Sequence, residues 1–134
     1  MSSNAATIIV GTAGAGLTAG AGKFCKMSSL GVVTLASSAT ATDTIGVLLG
    51  SAAEDESVTI QTSGPMSGML AGGVITPGTY VTTDASGDVV AATAADVILG
   101  QYLPDVEALG FVTVASGDQI SNIDIAQVKR LLFV

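Results

Sequence analysis

Asp84 and Asp88 bracket a Ser-Gly tip in the stretch ITPGTYVTTDASGDVV, residues 75–90. Two carboxylates around so small a tip are the beginning of an oxygen-rich cation site. Calcium takes six or more oxygens. DASGD offers two carboxylates, the Ser86 hydroxyl and carbonyls, without the closing bidentate Glu of an EF-hand loop. A hairpin turn accounts for the same letters, since Asp, Ser and Gly are turn residues. The turn is the favoured reading, and no metal or other cofactor is expected.

Other chemistry fails on residue type. GTAGAGLTAGAGK, residues 11–23, suggests a phosphate loop, but the pattern G-x-x-x-x-G-K-[ST] has Leu17 at its first glycine and Phe24 where the magnesium ligand belongs. Cys25 lies between Lys23 and Lys26, and neighbouring cations lower a thiol pKa. The chain has no histidine, so no Cys-His pair can form, and a small buried strand residue is the better reading of Cys25. The carboxylate pairs Glu54–Glu56 and Asp105–Glu107 fall in turn-like segments, and there is no G-x-S-x-G elbow. The chain reads as a non-enzyme with no small-molecule substrate.

The elements that would carry these residues are strands. Short β-branched runs recur between Gly, Ser, Asp and Pro punctuation, at the close spacing of a sandwich or barrel. They are Thr7–Val10, Lys23–Met27, Val32–Ala36, Thr44–Leu49, Val58–Thr62, Met66–Leu70, Thr79–Thr83, Asp88–Ala92, Val97–Leu103 and Gly110–Ala115. VTIQTSG and FVTVASG alternate apolar and polar residues, which puts one face inward. DIAQVKRLLFV at the C-terminus has Ile125, Val128 and Leu132 at helical spacing, but its short apolar RLLFV favours a last strand. The expected fold is all-β: a compact barrel or sandwich of about ten short strands. Residues 17–134 form a single β domain. Residues 1–16, rich in Gly and Ala, read as a flexible arm that orders against a partner. Within the arm, Thr7, Ile8, Ile9 and Val10 are the candidate partner-binding residues, able to add a strand to a neighbour.

Composition narrows the partners. The chain has 134 residues, 49% hydrophobic and only 11% charged, with a net charge of −7. Soluble domains are usually about 25% charged, so small neutral residues must cover much of this surface. Such a surface suits burial against other subunits. The four cations, Lys23, Lys26, Lys129 and Arg130, make no basic patch for nucleic acid or anionic lipid. The N-terminus lacks the basic and apolar regions of a secretory signal, and no apolar run is long enough to span a bilayer.

A repeat runs through the chain. LTAG at 17–20 lies over ITPG at 75–78, KFCK over TYVT, SSLGVV over ASGDVV, IGVLL at 45–49 over LGQYL at 99–103, and VTIQTSG over VTVASG. Five blocks in one order point to tandem β repeats, residues 17–64 and 75–117.

The same blocks carry a resemblance. TAGAGKF followed by Lys26, VVTLA, IGVLLG, VTIQTSGPM, GGVITPGTYVTTDASGDVVAA and ILGQYL occur in the order seen in the bacteriophage capsid-cement, or head decoration, family. Residues 17–117 resemble that pattern, the 75–90 block most specifically. The resemblance implies a virion protein made in the host cytoplasm and carried on the outer capsid surface. It implies a homotrimer that binds the major capsid protein and stabilises contacts between its copies. A fibre, spike or other adhesion module is the alternative, against which the compact length argues.

Overall fold

The computed structural model describes residues 7–40, 43–103 and 113–131, and every regular element among them is a strand. In chain order these are β1 (Thr7–Ala13), β2 (Phe24–Met27), β3 (Val32–Leu35), β4 (Thr44–Leu48), β5 (Ser57–Met66), β6 (Met69–Leu70), β7 (Tyr80–Thr83), β8 (Val89–Ala91), β9 (Val97–Tyr102), β10 (Gln119–Ile120) and β11 (Ile123–Leu131). The C-terminal segment is a strand as far as Leu131; residues 132–134 of its apolar run lie outside the described residues. Of the expected strand over residues 110–115, residues 110–112 lie outside the described residues, and Val114 makes a lone bridge to Ile75.

Strands β1, β3, β2, β4 and β5 close into a five-stranded barrel, because β1 pairs with β3 on one side and with β5 on the other. Of the arm expected over residues 1–16, residues 1–6 lie outside the described residues, and Thr7–Ala13 is a barrel strand. The glycines that suggested chain entropy serve close packing. A Cβ on Gly11 would sit 2.6 Å from the Val33 side chain, and one on Gly14 would sit 2.9 Å from that of Thr34. Only glycine lets β1 cross β3 so closely.

The second half of the chain builds the same circuit. The order β8-β7-β9-β11 repeats β3-β2-β4-β5. The parallel bridge Ala71↔Val89 matches the parallel pair Ala13↔Val33, and β6–β10 pairing matches that of β1 with the start of β5. The amides of Gly14 and Gly72 donate to Val33 and Val89 at 2.8 and 2.7 Å, and those of Ala52 and Val114 donate to Leu17 and Ile75 at 3.0 Å each.

The two interiors agree position by position. Ala13, Leu17, Cys25, Val33, Leu48, Ala52, Val58 and Ile60 form one core. Their counterparts Ala71, Ile75, Val81, Val89, Tyr102, Val114, Ile120 and Ile123 all lie in the other. The hydrogen-bond circuit therefore begins one copy at β1 and the next at the end of β5. Strand β5 is shared: residues 57–63 finish the first barrel, and Gly64–Met66 pair with Ile123–Ile125 as the opening strand of the second. The buried Gln61 side chain donates to the carbonyls of Ser63 and Pro65 where the chain passes between barrels.

These boundaries differ from those suggested by the letters. IGVLL and LGQYL do coincide, as Gly46 and Gly100. The described part of VTVASG, residues 113–117, does not match the strand VTIQTSG; it is the loop ahead of β10 and corresponds to residues 51–55. The true counterpart of Val58–Ile60 is Ile120–Ile123, with an extra residue that breaks the strand into β10 and β11.

Candidate interaction surface

Asp84 and Ser28 occupy the same place in two hairpins, and the comparison explains both. The β7–β8 turn has Gly87 at φ 83°, and the β2–β3 turn has Gly31 at φ 79°. Asp84 Oδ1 accepts the amides of Ser86 at 2.8 Å and Asp88 at 3.0 Å. Ser28 Oγ accepts those of Leu30 and Val32, each at 3.3 Å. A side-chain oxygen that satisfies two turn amides is the general use of Asp and Ser here. Asp88 is engaged elsewhere: its Oδ1 lies 3.0 Å from Lys23 Nζ, with both side chains about one-fifth exposed. The two carboxylates thus serve a turn and an ion pair.

The other candidates resolve similarly. Gly22 has φ 80°, and its amide donates to Leu48; its counterpart Gly78 has φ 83° and donates to Tyr102. This is a tight entry to a strand, with Lys23 Nζ reaching Asp88 and the Ser86 carbonyl. Glu56 accepts the Ala53 amide at 2.7 Å, as Asp118 accepts that of Ala115 at 3.0 Å, so both acids close turns. Asp105 and Glu107 lie outside the described residues. Cys25 is fully buried in the first barrel, and desolvation pushes its thiol up to about 12. Burial outweighs the nearby lysines, leaving a neutral thiol without nucleophilic character at physiological pH. Among the described residues, no three His, Cys, Asp or Glu side chains gather to hold a metal.

What remains is apolar surface. On β1, Ile8 and Val10 point outward, 48% and 64% exposed, while Ile9 packs against the barrel core. One edge of β1 is occupied by β5 from Thr7 to Thr12. The other meets β3 only at Thr12 and Ala13. Among the described pairings, Thr7, Ile8, Ile9 and Val10 therefore keep one open strand edge. A shallow hollow lined by Lys26, Met27, Ser28, Val32, Thr34 and Asp43 lies under the β2–β3 hairpin. The barrel seam is the structural fact that the letters hid. Phe24, Ala36 and Val47, on the outside of the first barrel, are buried in the core of the second.

No protein-family model matches the chain, and no curated protein matches it. The capsid-cement pattern described above thus finds no matching model. Among solved structures, the chain is similar to the N base of head fiber gp8.5 of bacteriophage phi29. The two share a fold. The TM-score is 0.66 at 14% identity, and the match covers 94% of this chain and 98% of that chain, so it takes in both barrels.

Proposed function

We propose that this protein is a structural, non-enzymatic component of a tailed-phage head. In this reading it decorates the outer capsid surface, binds the major capsid protein and stabilises contacts between its copies. The observation that carries the reading is the fold likeness to the head-fiber N base, which extends through the whole two-barrel unit. The sequence resemblance to capsid-cement proteins points the same way. So does the chemistry of the chain, in which Glu56, Asp84, Asp96 and Asp118 close turns, Asp88 pairs with Lys23 and the thiol is buried.

The contact proposed for the capsid is β1. Its open edge from Thr7 to Val10 can take a strand of the partner, and Ile8 and Val10 supply outward apolar side chains. Many copies on one shell, acting as a homotrimer, multiply a modest contact through avidity.

Purified protein added to capsids lacking it should bind saturably and raise the temperature at which the shells open. Changing Ile8 and Val10 together to Lys should reduce occupancy about tenfold or more while leaving the melting of the free protein near that of wild type. Capsids that take up no wild-type protein would end the decoration reading.

The likeness to a fibre base favours one second reading, a seat for a head fibre. Copy number separates the two. A decoration protein saturates sites over the whole shell, whereas a fibre base occupies only the sites from which fibres project.

A further inference from the structure

The seam between the barrels is one-sided. The β7–β8 tip of the second barrel docks on the start of β2 in the first. The Phe24 amide donates to the Gly87 carbonyl at 2.8 Å, Lys23 pairs with Asp88, and Phe24 is fully buried. Gly87 is itself buried, and a Cβ there would meet the Phe24 carbonyl at 3.0 Å.

The repeat supplies each half of this contact a second time, and in both spare halves the side chains are exposed. The tip of the first barrel is the β2–β3 turn, where Leu30 is 88% exposed, Val32 is 36% exposed and a Cβ on Gly31 would meet open space. The Gly31 carbonyl, counterpart of the Gly87 acceptor, takes the Thr12 amide of its own barrel at 3.0 Å, so a second donor would use its remaining lone pair. The receiving face of the second barrel holds Tyr80 in the place of Phe24, and Tyr80 is 41% exposed. The residues also match in pairs. Lys23 and Asp88, which form an ion pair across the seam, correspond to Thr79 and Val32. Both charges are missing together, so docking the spare halves leaves no charge buried alone. Ser86 corresponds to Leu30, which brings an apolar residue toward the Tyr80 ring.

We infer that the spare halves meet between molecules: the Leu30–Val32 tip of one chain docks on the Thr79–Tyr80 face of a second copy, repeating the internal seam. The occupant is a second copy of this chain, because the seam already shows an equivalent tip seated on an equivalent face. The contact is heterologous, so it propagates head to tail until it closes into a ring or ends as an open chain. The inference rests on the repeat alone and stands apart from the capsid reading. It is tested in solution without capsids, so its failure bears on self-association, the homotrimer included, and leaves binding to the shell to the capsid experiment.

The test is sedimentation velocity on the full chain over a wide concentration range. Wild type should self-associate. Leu30→Glu and, separately, Tyr80→Glu should each sediment as monomers, with wild-type circular dichroism. Mixing the two variants should restore association and stop it at the dimer, since each contributes one intact half and one spoiled half. If either Glu variant fails to fold, Leu30→Ser and Tyr80→Ser take their place. Wild type that stays monomeric up to its solubility limit overturns the inference. Variants that associate as wild type does, or a mixture that forms no dimer, overturn it equally.

Discussion

The first barrel closes on a six-residue ladder and a two-residue pairing, whereas the second closes on a two-residue pairing and one bridge. Yet the eight core positions and the turn hydrogen bonds coincide. The difference teaches what the fold requires. The interior positions, the positive-φ turn glycines and the side-chain caps recur. Strand length and outward residues are free to differ. Phe24 and Tyr80 occupy one backbone position, and one is buried while the other is exposed, because a neighbouring barrel covers only the first.

The glycines of β4 and β9 would break this comparison hardest. A Cβ on Gly46 would collide with the Gln61 carbonyl, and one on Gly100 would lie 2.6 Å from that of Asp124. Backbone cannot step aside as a side-chain end can. Gly46→Ala and Gly100→Ala should each cost about 3 kcal/mol or more in urea unfolding, since overpacking commonly costs about 1–3 kcal/mol even against side chains. A tolerated Gly100→Ala beside a damaging Gly46→Ala would show that the second barrel lacks the close strand approach of the first.

Cys25 and its counterpart Val81 differ only in what titrates. With the folded thiol at about 12 against an ordinary value of 9.0, the unfolded chain ionises first. The stability tied to the neutral thiol is complete below pH 9 and is lost as pH rises toward 12, by about 1.4 kcal/mol per pH unit within that window. Cys25→Val should remove this part of the alkaline slope and change stability at pH 7 by less than about 1.5 kcal/mol, as near-isosteric swaps do. Equal slopes in urea melts from pH 8 to about pH 11 would contradict burial as the cause.

The two turn caps sharpen the comparison. Asp84→Ala removes a charged acceptor from two amides and should cost about 2 kcal/mol; Ser28→Ala, at a more exposed tip, should cost about 0.5–1 kcal/mol. Equal losses would mean that seating the β7–β8 tip on the first barrel adds nothing to the cap. The smallest effect belongs to the seam. A double-mutant cycle with Lys23→Thr and Asp88→Val, the residues of the other copy, should give a coupling of at most about 1 kcal/mol for a partly exposed pair. A coupling near zero would leave the seam to Phe24, Ala36 and Val47.

Much of this was legible. Turn punctuation placed most strands, and Gly46 with Gly100 fixed one register of the repeat. The rest was hidden for physical reasons. Ser28 and Asp84 do one job with different letters, because a turn needs an oxygen and does not discriminate hydroxyl from carboxylate. VTVASG shares letters with VTIQTSG, but its described residues 113–117 lie in a loop, because Val and Thr suit a bridge as well as a strand. The opening strands Thr7–Ala13 and Pro65–Ala71 share little beyond a final alanine; only their hydrogen bonds make them equivalent. Thr7–Val10 was marked by its apolar run, but its place in the barrel depends on Gly11 and Gly14 packing on β3, which a single sequence displays only as a flexible tract.

The most direct test of the central claim is an electron cryomicroscopy comparison of capsids with and without this protein. The account predicts added density on the outer shell into which the two-barrel unit fits, with the Thr7–Val10 strand edge against the major capsid protein. Density confined to the tail or the shell interior, or none at all, would contradict it.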